Sequence, residues 1–159
     1  MIRLLDAVQA IAVTFWVGAL WTSGLLVAPL LFRMLDDRTL AGSIAGSLFS
    51  ITTLVGIACG ACILIIWFLR QRGRAPQQQF LAWLVVAMLV VALIGQYGIQ
   101  PVLANLREQA YPQPVMQSTF ADSFARWHMI SGILYLVQSL LGAGLVISMC
   151  RSDIVPVKD

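Results

Sequence analysis

Residues 40–69 read LAGSIAGSLFSITTLVGIACGACILIIWFL and contain no charged side chain. A helix rises about 1.5 Å per residue and the hydrocarbon core of a bilayer is about 30 Å thick, so a helix of this length crosses it. Similar apolar runs lie at about residues 4–32, 80–103 and 124–149. Because backbone groups in lipid must pair within their own segment, each run is predicted to be a helix. The sequence therefore predicts an all-α polytopic membrane protein, a four-transmembrane-helix bundle that forms a single domain over residues 1–159.

The composition argues against a soluble domain. Of the 159 residues, 60% are hydrophobic and only 11% are charged, and the mean hydropathy is +0.87. Soluble domains carry about 25% charged residues, so most of this surface must face lipid. The net charge of +3 comes without the basic face that nucleic-acid binding requires. The expected partner is therefore the lipid bilayer, and no nucleic acid is expected.

The positive charges indicate how the four helices are oriented. With four spans, both termini lie on the same side of the membrane. Six basic residues fall on the side of the termini: Arg3, Arg70, Arg72, Arg74, Arg151 and Lys158. Four fall on the opposite side: Arg33, Arg38, Arg107 and Arg126. Cytoplasmic segments carry an excess of Arg and Lys. The charge distribution therefore predicts both termini in the cytoplasm, for a multi-pass protein of the bacterial inner (plasma) membrane.

Small residues of the second span share one face of the predicted helix. They are Gly42, Gly46, Thr53, Gly56 and Gly60. At about 100° per residue they lie within about 80° of one another. Helices in lipid associate where small residues let their backbones approach closely. This glycine seam is predicted to be a tight helix-packing contact inside the bundle, and the alternative is a contact between copies in a homo-oligomer.

A polar stripe runs along the fourth span at helical spacing. Its members are His128, Ser131, Gly132, Tyr135, Gln138, Ser139 and Gly142. Polar residues at membrane depth face the bundle interior or a cavity, so His128, the single histidine of the chain, is predicted to point inward. The outer ends of the first and third spans bring polar groups to the same depth. The predicted ligand-binding residues of this outward-facing pocket are His128, Ser131, Tyr135, Gln96, Tyr97, Gln100, Arg33 and Arg126.

Three stretches of the chain resemble a known family. They are FWVGALWTSGLLVAPLLFRMLDDRTLAGSIAGSLF (15–49), QYGIQPVLANLRE (96–108) and FARWHMISGILYL (124–136). Together they are similar to small membrane proteins of the transmembrane protein 205 type, whose bacterial members are grouped as a domain of unknown function. The resemblance spans about residues 10–145. It carries over these residues: Phe15, Trp16, Gly18, Pro29, Phe32, Arg33, Gly42, Gly46, Pro101, Phe124, His128 and Ser131.

The resemblance implies a four-helix membrane protein in which Pro101 ends the third span, and it implies no particular reaction. The family is associated by name with resistance to platinum drugs, and it looks distantly similar to copper-resistance membrane proteins. One departure is Trp127, where the family often has a small or polar residue before the histidine. A tryptophan there is expected to narrow the opening that leads to His128.

Several roles for His128 remain open from the sequence. It can be structural, hydrogen-bonded to Gln100, Tyr97 or a loop carbonyl. It can serve in acid–base catalysis, but its titratable neighbours Asp122 and Glu108 lie on a loop and not deep in a span, so an enzyme is not favoured. A transporter would need oligomerisation, because four spans are few and no acidic residue lies at the midplane.

Metal or haem binding is a further role. Imidazole suits copper, zinc and haem iron, yet one histidine supplies only one ligand. The CGAC motif places Cys59 and Cys62 on one helical face, where Cu(I) binding is the alternative to packing by small residues. The interpretation that the sequence favours is a membrane module that binds a small ligand or a partner, as an accessory subunit of a larger complex. The alternatives are a protein that handles copper or haem and an oligomeric transporter.

Overall fold

The computed structural model describes the backbone of residues 2–70 and 76–154 and the side chains of residues 3–70 and 79–150. Its α-helices are α1 (Ile2–Trp21), α2 (Ala28–Met34), α3 (Arg38–Leu69), α4 (Pro76–Leu93), α5 (Gln100–Ala110) and α6 (Ala121–Ile154), and a 3-10 turn covers Val115–Gln117. A first π-helical segment, Thr22–Val27, joins α1 to α2, and a second, Ile94–Ile99, joins α4 to α5.

Four helices of the described chain are long and apolar enough to cross a membrane. They are Arg3–Met34, Arg38–Leu69, Gln79–Ala110 and Ala121–Cys150. The predicted all-α fold with four membrane-spanning helices is therefore confirmed. The predicted orientation of the termini depends partly on Arg72, Arg74 and Lys158 and on the side chain of Arg151, which lie outside the described residues.

Local interactions explain where α3 begins and how it is joined to α1. The carboxylate of Asp37 accepts hydrogen bonds from the backbone N–H groups of Thr39 at 2.8 Å and Leu40 at 3.2 Å. An aspartate at the N-cap satisfies amides that have no partner within the helix. At the other end, Nη1 of Arg70 lies 2.6 Å from Oδ1 of Asp6. This ion pair connects the end of α3 to the start of α1, so the two helices run antiparallel.

The third span is longer than the sequence predicted. It was expected to end near Pro101, with a loop over residues 104–123, but the helix continues through the proline to Ala110. Proline lacks an N–H and clashes with the preceding turn of an α-helix. Here the second π segment comes directly before it, and the N–H of Gln100 bonds to the carbonyl of Gly95. The proline therefore occupies the first turn of α5, where its missing N–H is tolerated.

Two clusters of buried hydrophobic side chains lie at different depths in the described part of the bundle. The first comprises Ala12, Val13, Trp16, Val17, Ile63, Val85, Met88 and Leu145. The second, nearer the loop between α5 and α6, comprises Ile99, Leu103 and Phe124, with Val115 of the 3-10 turn packed against it. The 3-10 turn of this loop therefore adds apolar contacts to the second cluster.

The glycine seam of α3 divides into two halves with different neighbours. A Cβ built at Gly56 would collide with the indole of Trp16, and one at Gly60 would lie 2.7 Å from Cδ2 of Leu89 and 2.9 Å from Cη2 of Trp16. The other half faces different groups, because a Cβ at Gly46 would lie 3.5 Å from Nη1 of Arg107 and one at Gly42 would lie 3.9 Å from Cζ of Phe32. Within the predicted seam, the tight packing inside the bundle is therefore confined to Gly56 and Gly60, and Gly42 and Gly46 lack such close neighbours.

Candidate functional site

A cavity of about 270 Å³ lies within the bundle and is lined by all four spans. The lining residues are Trp16, Leu20, Gly24, Phe49, Thr52, Thr53, Val91, Ala92, Gly95, Gln100, His128, Ser131, Gly132, Leu134, Tyr135 and Gln138. On α6 the lining extends from His128 to Gln138, which corresponds to about 15 Å along the helix axis. The cavity is therefore elongated along the bundle, and most of its wall is apolar.

Both π segments border the cavity, and each contributes a glycine to its wall. Gly24 lies in the first segment and Gly95 in the second. A π turn holds an extra residue and is common at functional sites. Each segment is followed closely by a proline, Pro29 or Pro101. The wider turn therefore accommodates the proline and also places a residue without a side chain beside the cavity.

Tyr135 fixes one wall of the cavity against the first span. Its hydroxyl donates a hydrogen bond of 3.4 Å to the backbone carbonyl of Leu20, and its ring packs edge-on against Phe49 with centroids 5.6 Å apart. A Cβ built at Gly24 would overlap the tyrosine ring and hydroxyl. The glycine therefore makes room for the phenol. Close by, the hydroxyls of Ser23 and Thr52 share a buried hydrogen bond of 2.9 Å.

Gln138 is a buried polar residue whose amide lacks a full set of partners among the described residues. Its residue is only 5% exposed, and its Oε1 has no hydrogen-bond partner among the described residues. Leaving a buried acceptor unpaired costs about 1–3 kcal/mol. Thr52, buried in the same wall, is already paired with Ser23. The amide oxygen of Gln138 is therefore a buried acceptor without a partner, on a residue that also lines the cavity.

His128 is one of the residues that line the cavity, and it lies at the end of the α6 wall nearest Phe124. The residue is exposed, and its ring stacks on Phe124 with centroids 5.9 Å apart and planes 7° from parallel. Within residues 2–70 and 76–154 it forms no hydrogen bond to the protein. The hydrogen bond to Gln100, Tyr97 or a loop carbonyl, one of the roles that the sequence left open for His128, is therefore not formed among the described residues. The i, i+4 spacing of Phe124 and His128 places the two rings next to each other on α6.

The structure brings together half of the predicted site residues. Ser131, Tyr135 and Gln100 line the cavity with His128. The other four predicted residues do not line the cavity. Gln96 donates a 3.0 Å hydrogen bond to Ser50, and Tyr97 is 66% exposed. Arg33 and Arg126 are exposed, and Arg126 lies near Ser123. For Gln96 and Tyr97 the reason is the second π segment, whose extra residue changes the angular position of neighbouring side chains relative to a regular helix.

The metal and haem interpretations gain no further ligand from the geometry. In the part of the chain that the structure describes, no group of three His, Cys, Asp or Glu residues is close enough to hold an ion. Cys59 and Cys62 are partly buried on α3 and do not line the cavity. His128 would therefore act as a single ligand, and Cys59 and Cys62 would form a separate pair.

Several residues of the cavity were not predicted. The sequence pattern includes Gln138 in the polar stripe but not in the predicted pocket, and it gives no site prediction for Gly24, Thr52 or Gly95. All four residues line the cavity. A usable signal was present in both spans, since a glycine precedes a proline by five or six residues in GLLVAP and GQYGIQP. A proline inside an apolar span requires a local change of helix geometry. That signal indicates where the helices depart from regular α geometry.

The comparisons with known proteins agree with this architecture. A family model described as a domain of unknown function (DUF4149) matches residues 11–112. No curated protein and no solved structure matches the chain. The matched region includes most of the first three spans and ends before α6. The contributions of α6 to the cavity, including Gln138, therefore lie beyond the matched residues.

Proposed function

We propose that this chain, which belongs to the family described as a domain of unknown function (DUF4149), is a membrane protein that binds a small molecule within its four-helix bundle. The observation that carries the proposal is Gln138, which lines a cavity of about 270 Å³ and whose buried Oε1 has no partner among the described residues. Buried polar groups in native proteins almost always have a partner. A ligand that donates a hydrogen bond would supply one.

The lining defines the chemical class of the ligand. Trp16, Leu20, Val91, Ala92 and Leu134 supply apolar surface, which favours an apolar body. Only a few polar groups line the wall, and small-molecule sites use such groups to orient a ligand. Because Gln138 offers an acceptor, the ligand must carry at least one donor, such as a hydroxyl or an N–H group. The proposed ligand is therefore a mostly apolar molecule with a hydrogen-bond donor.

Bromohexanol and bromohexane are a suitable pair of probes, because they differ by one hydroxyl and their bromine quenches tryptophan fluorescence. Trp16 is buried in the cavity wall, so we expect both probes to quench it. Gln138→Leu is expected to weaken bromohexanol binding about tenfold, since the hydroxyl loses its acceptor. The same change is expected to raise the stability of the ligand-free protein by about 1 kcal/mol, because it removes an unpaired buried group. Fluorescence titration and unfolding in detergent measure the two effects.

Two matched controls make this test specific. Trp16→Phe should remove the quenching that comes from the cavity, leaving only that of tryptophans facing the detergent. Ser139→Ala removes the neighbouring buried hydroxyl that also has no partner, but Ser139 does not line the cavity, so bromohexanol should bind as it does to wild type. Equal affinity of wild type and Gln138→Leu for bromohexanol, or quenching that does not depend on Trp16, contradicts the proposal.

We further propose that the protein lies in a bacterial inner membrane with both termini in the cytoplasm, and that it is related to the transmembrane protein 205 type. The supporting observation is the excess of Arg and Lys at the ends that would face the cytoplasm. The loop between α5 and α6 would then face outward, and His128 would lie at the outer rim of the cavity.

This topology predicts opposite accessibility for two engineered cysteines, in a variant whose native cysteines are replaced. Gln113→Cys, in the loop between α5 and α6, should react with a membrane-impermeant maleimide added to intact cells. Gln71→Cys should react only after the membrane is permeabilised. A reporter enzyme that folds only in the cytoplasm, fused after Asp159, should be active. Labelling of Gln71→Cys in intact cells would reverse the proposed orientation.

A further inference from the structure

Arg107 occupies an unusual position near the end of the third span. It lies one turn before Ala110, the last residue of α5, and its side chain is half-buried. The guanidinium carbon lies 5.2 Å from the centre of the Phe124 ring on α6. On another side the guanidinium faces Gly46 of α3, where a built Cβ would lie 3.5 Å from Nη1 and 3.6 Å from Nη2. Three helices therefore surround this cation.

No anion of the described chain neutralises Arg107. Its guanidinium forms no ion pair or hydrogen bond within residues 2–70 and 76–154, and the acidic residues Glu108 and Asp122 are exposed. The contact with Phe124 is a cation–π interaction, which recovers only part of the hydration that a half-buried cation loses. Arginine also has five N–H donors, and those of Arg107 have no acceptor on the described chain.

We propose that Arg107 binds the phosphate of an anionic lipid from the leaflet at this end of the bundle. A guanidinium presents two parallel N–H groups that match the oxygens of a phosphate. Gly46 lacks a side chain, so the guanidinium can lie close against α3 while its other N–H groups remain free to bind such a group. Because Arg107 lies within a turn of the end of its span, its depth corresponds to the head-group region and not to the bilayer centre.

The lipid site is separate from the proposed ligand cavity. Arg107 does not line that cavity, although it lies two turns beyond Gln100 on the same helix. The arginines Arg33 and Arg126, at the same end of the bundle, are exposed, so they can reach water without a lipid partner. Arg33 therefore provides a control of equal charge for any substitution at Arg107.

Native mass spectrometry in a non-ionic detergent tests this assignment with two lipids that share their acyl chains. Phosphatidylglycerol carries a phosphate and diacylglycerol does not. We expect wild type to prefer phosphatidylglycerol, and Arg107→Gln to weaken that binding about tenfold or more, without affecting diacylglycerol. Arg107→Lys should lose part of the affinity, because lysine keeps the charge but not the two-pronged geometry. Arg33→Gln should bind phosphatidylglycerol within about twofold of wild type, since an exposed charge contributes little.

A second variant keeps the test valid where Arg107→Gln does not fold. Gly46→Leu retains the arginine, but the leucine would displace its guanidinium from α3, and it should reduce phosphatidylglycerol binding by a similar factor. Equal losses in Arg107→Gln and Arg33→Gln, or equal binding of the two lipids to wild type, overturn the proposal. Displacement of phosphatidylglycerol by inorganic phosphate alone would assign the site to a soluble anion and overturn the lipid as its occupant. Bromohexanol binding should be unchanged in Arg107→Gln, so the cavity and the lipid site succeed or fail separately.

Discussion

Gly56→Leu is expected to destabilise the bundle by about 3 kcal/mol, at the upper end of the usual cost of overpacking. A Cβ at this position already collides with the indole of Trp16, and Cδ1 of that ring would lie only 2.7 Å away. Trp16 is 2% exposed and belongs to the first core cluster, so moving its indole disturbs the packing of that cluster. The loss should appear as a lower midpoint of thermal or denaturant-induced unfolding in detergent.

Two other glycines provide matched controls for Gly56. A Cβ built at Gly18 or Gly144 has no atom within 4 Å, so Gly18→Leu and Gly144→Leu should change stability by less than about 0.5 kcal/mol. Gly46→Leu should also be mild, because its nearest neighbours are the outer atoms of a long arginine side chain. Loss of stability at Gly46 as large as at Gly56 would contradict the division of the glycine seam into two halves.

Gly24→Ala is expected to abolish most ligand binding and to cost about 1–3 kcal/mol of stability. The added methyl group would occupy the position of the Tyr135 hydroxyl. The phenol must then give up its hydrogen bond to Leu20 and its edge contact with Phe49, and the displaced ring fills part of the cavity. Bromohexanol titration and unfolding of the same preparations measure both effects.

A double-mutant cycle tests the cause of this effect. The three atoms nearest to a Cβ at Gly24 all belong to Tyr135. The variant Gly24→Ala combined with Tyr135→Ala should therefore be about as stable as Tyr135→Ala alone, which gives a large coupling energy. Gly95→Ala, in the second π segment, should be tolerated because nothing lies within 4 Å of its built Cβ. Additive effects of the Gly24 and Tyr135 substitutions would show that the glycine is required for another reason.

The sequence by itself determined the features that depend on local composition. The apolar runs predict the four spans because insertion into lipid depends on the summed hydrophobicity of about 20 consecutive residues. Gly56 and Gly60 were recognised as close-packing positions, because a missing side chain is visible in the sequence itself.

Only the tertiary structure decided which groups meet. The two π segments change the angular position of residues in the first and third spans, so Gln96 and Tyr97 lie away from the cavity and Gly24 receives Tyr135. A regular helical period cannot predict this shift. His128 stacks on Phe124, whereas Gln138, about 15 Å deeper, has the unpaired oxygen. Whether a polar side chain in a membrane span finds a partner depends on what the neighbouring helices place opposite it, and spacing along one helix carries no information about those neighbours.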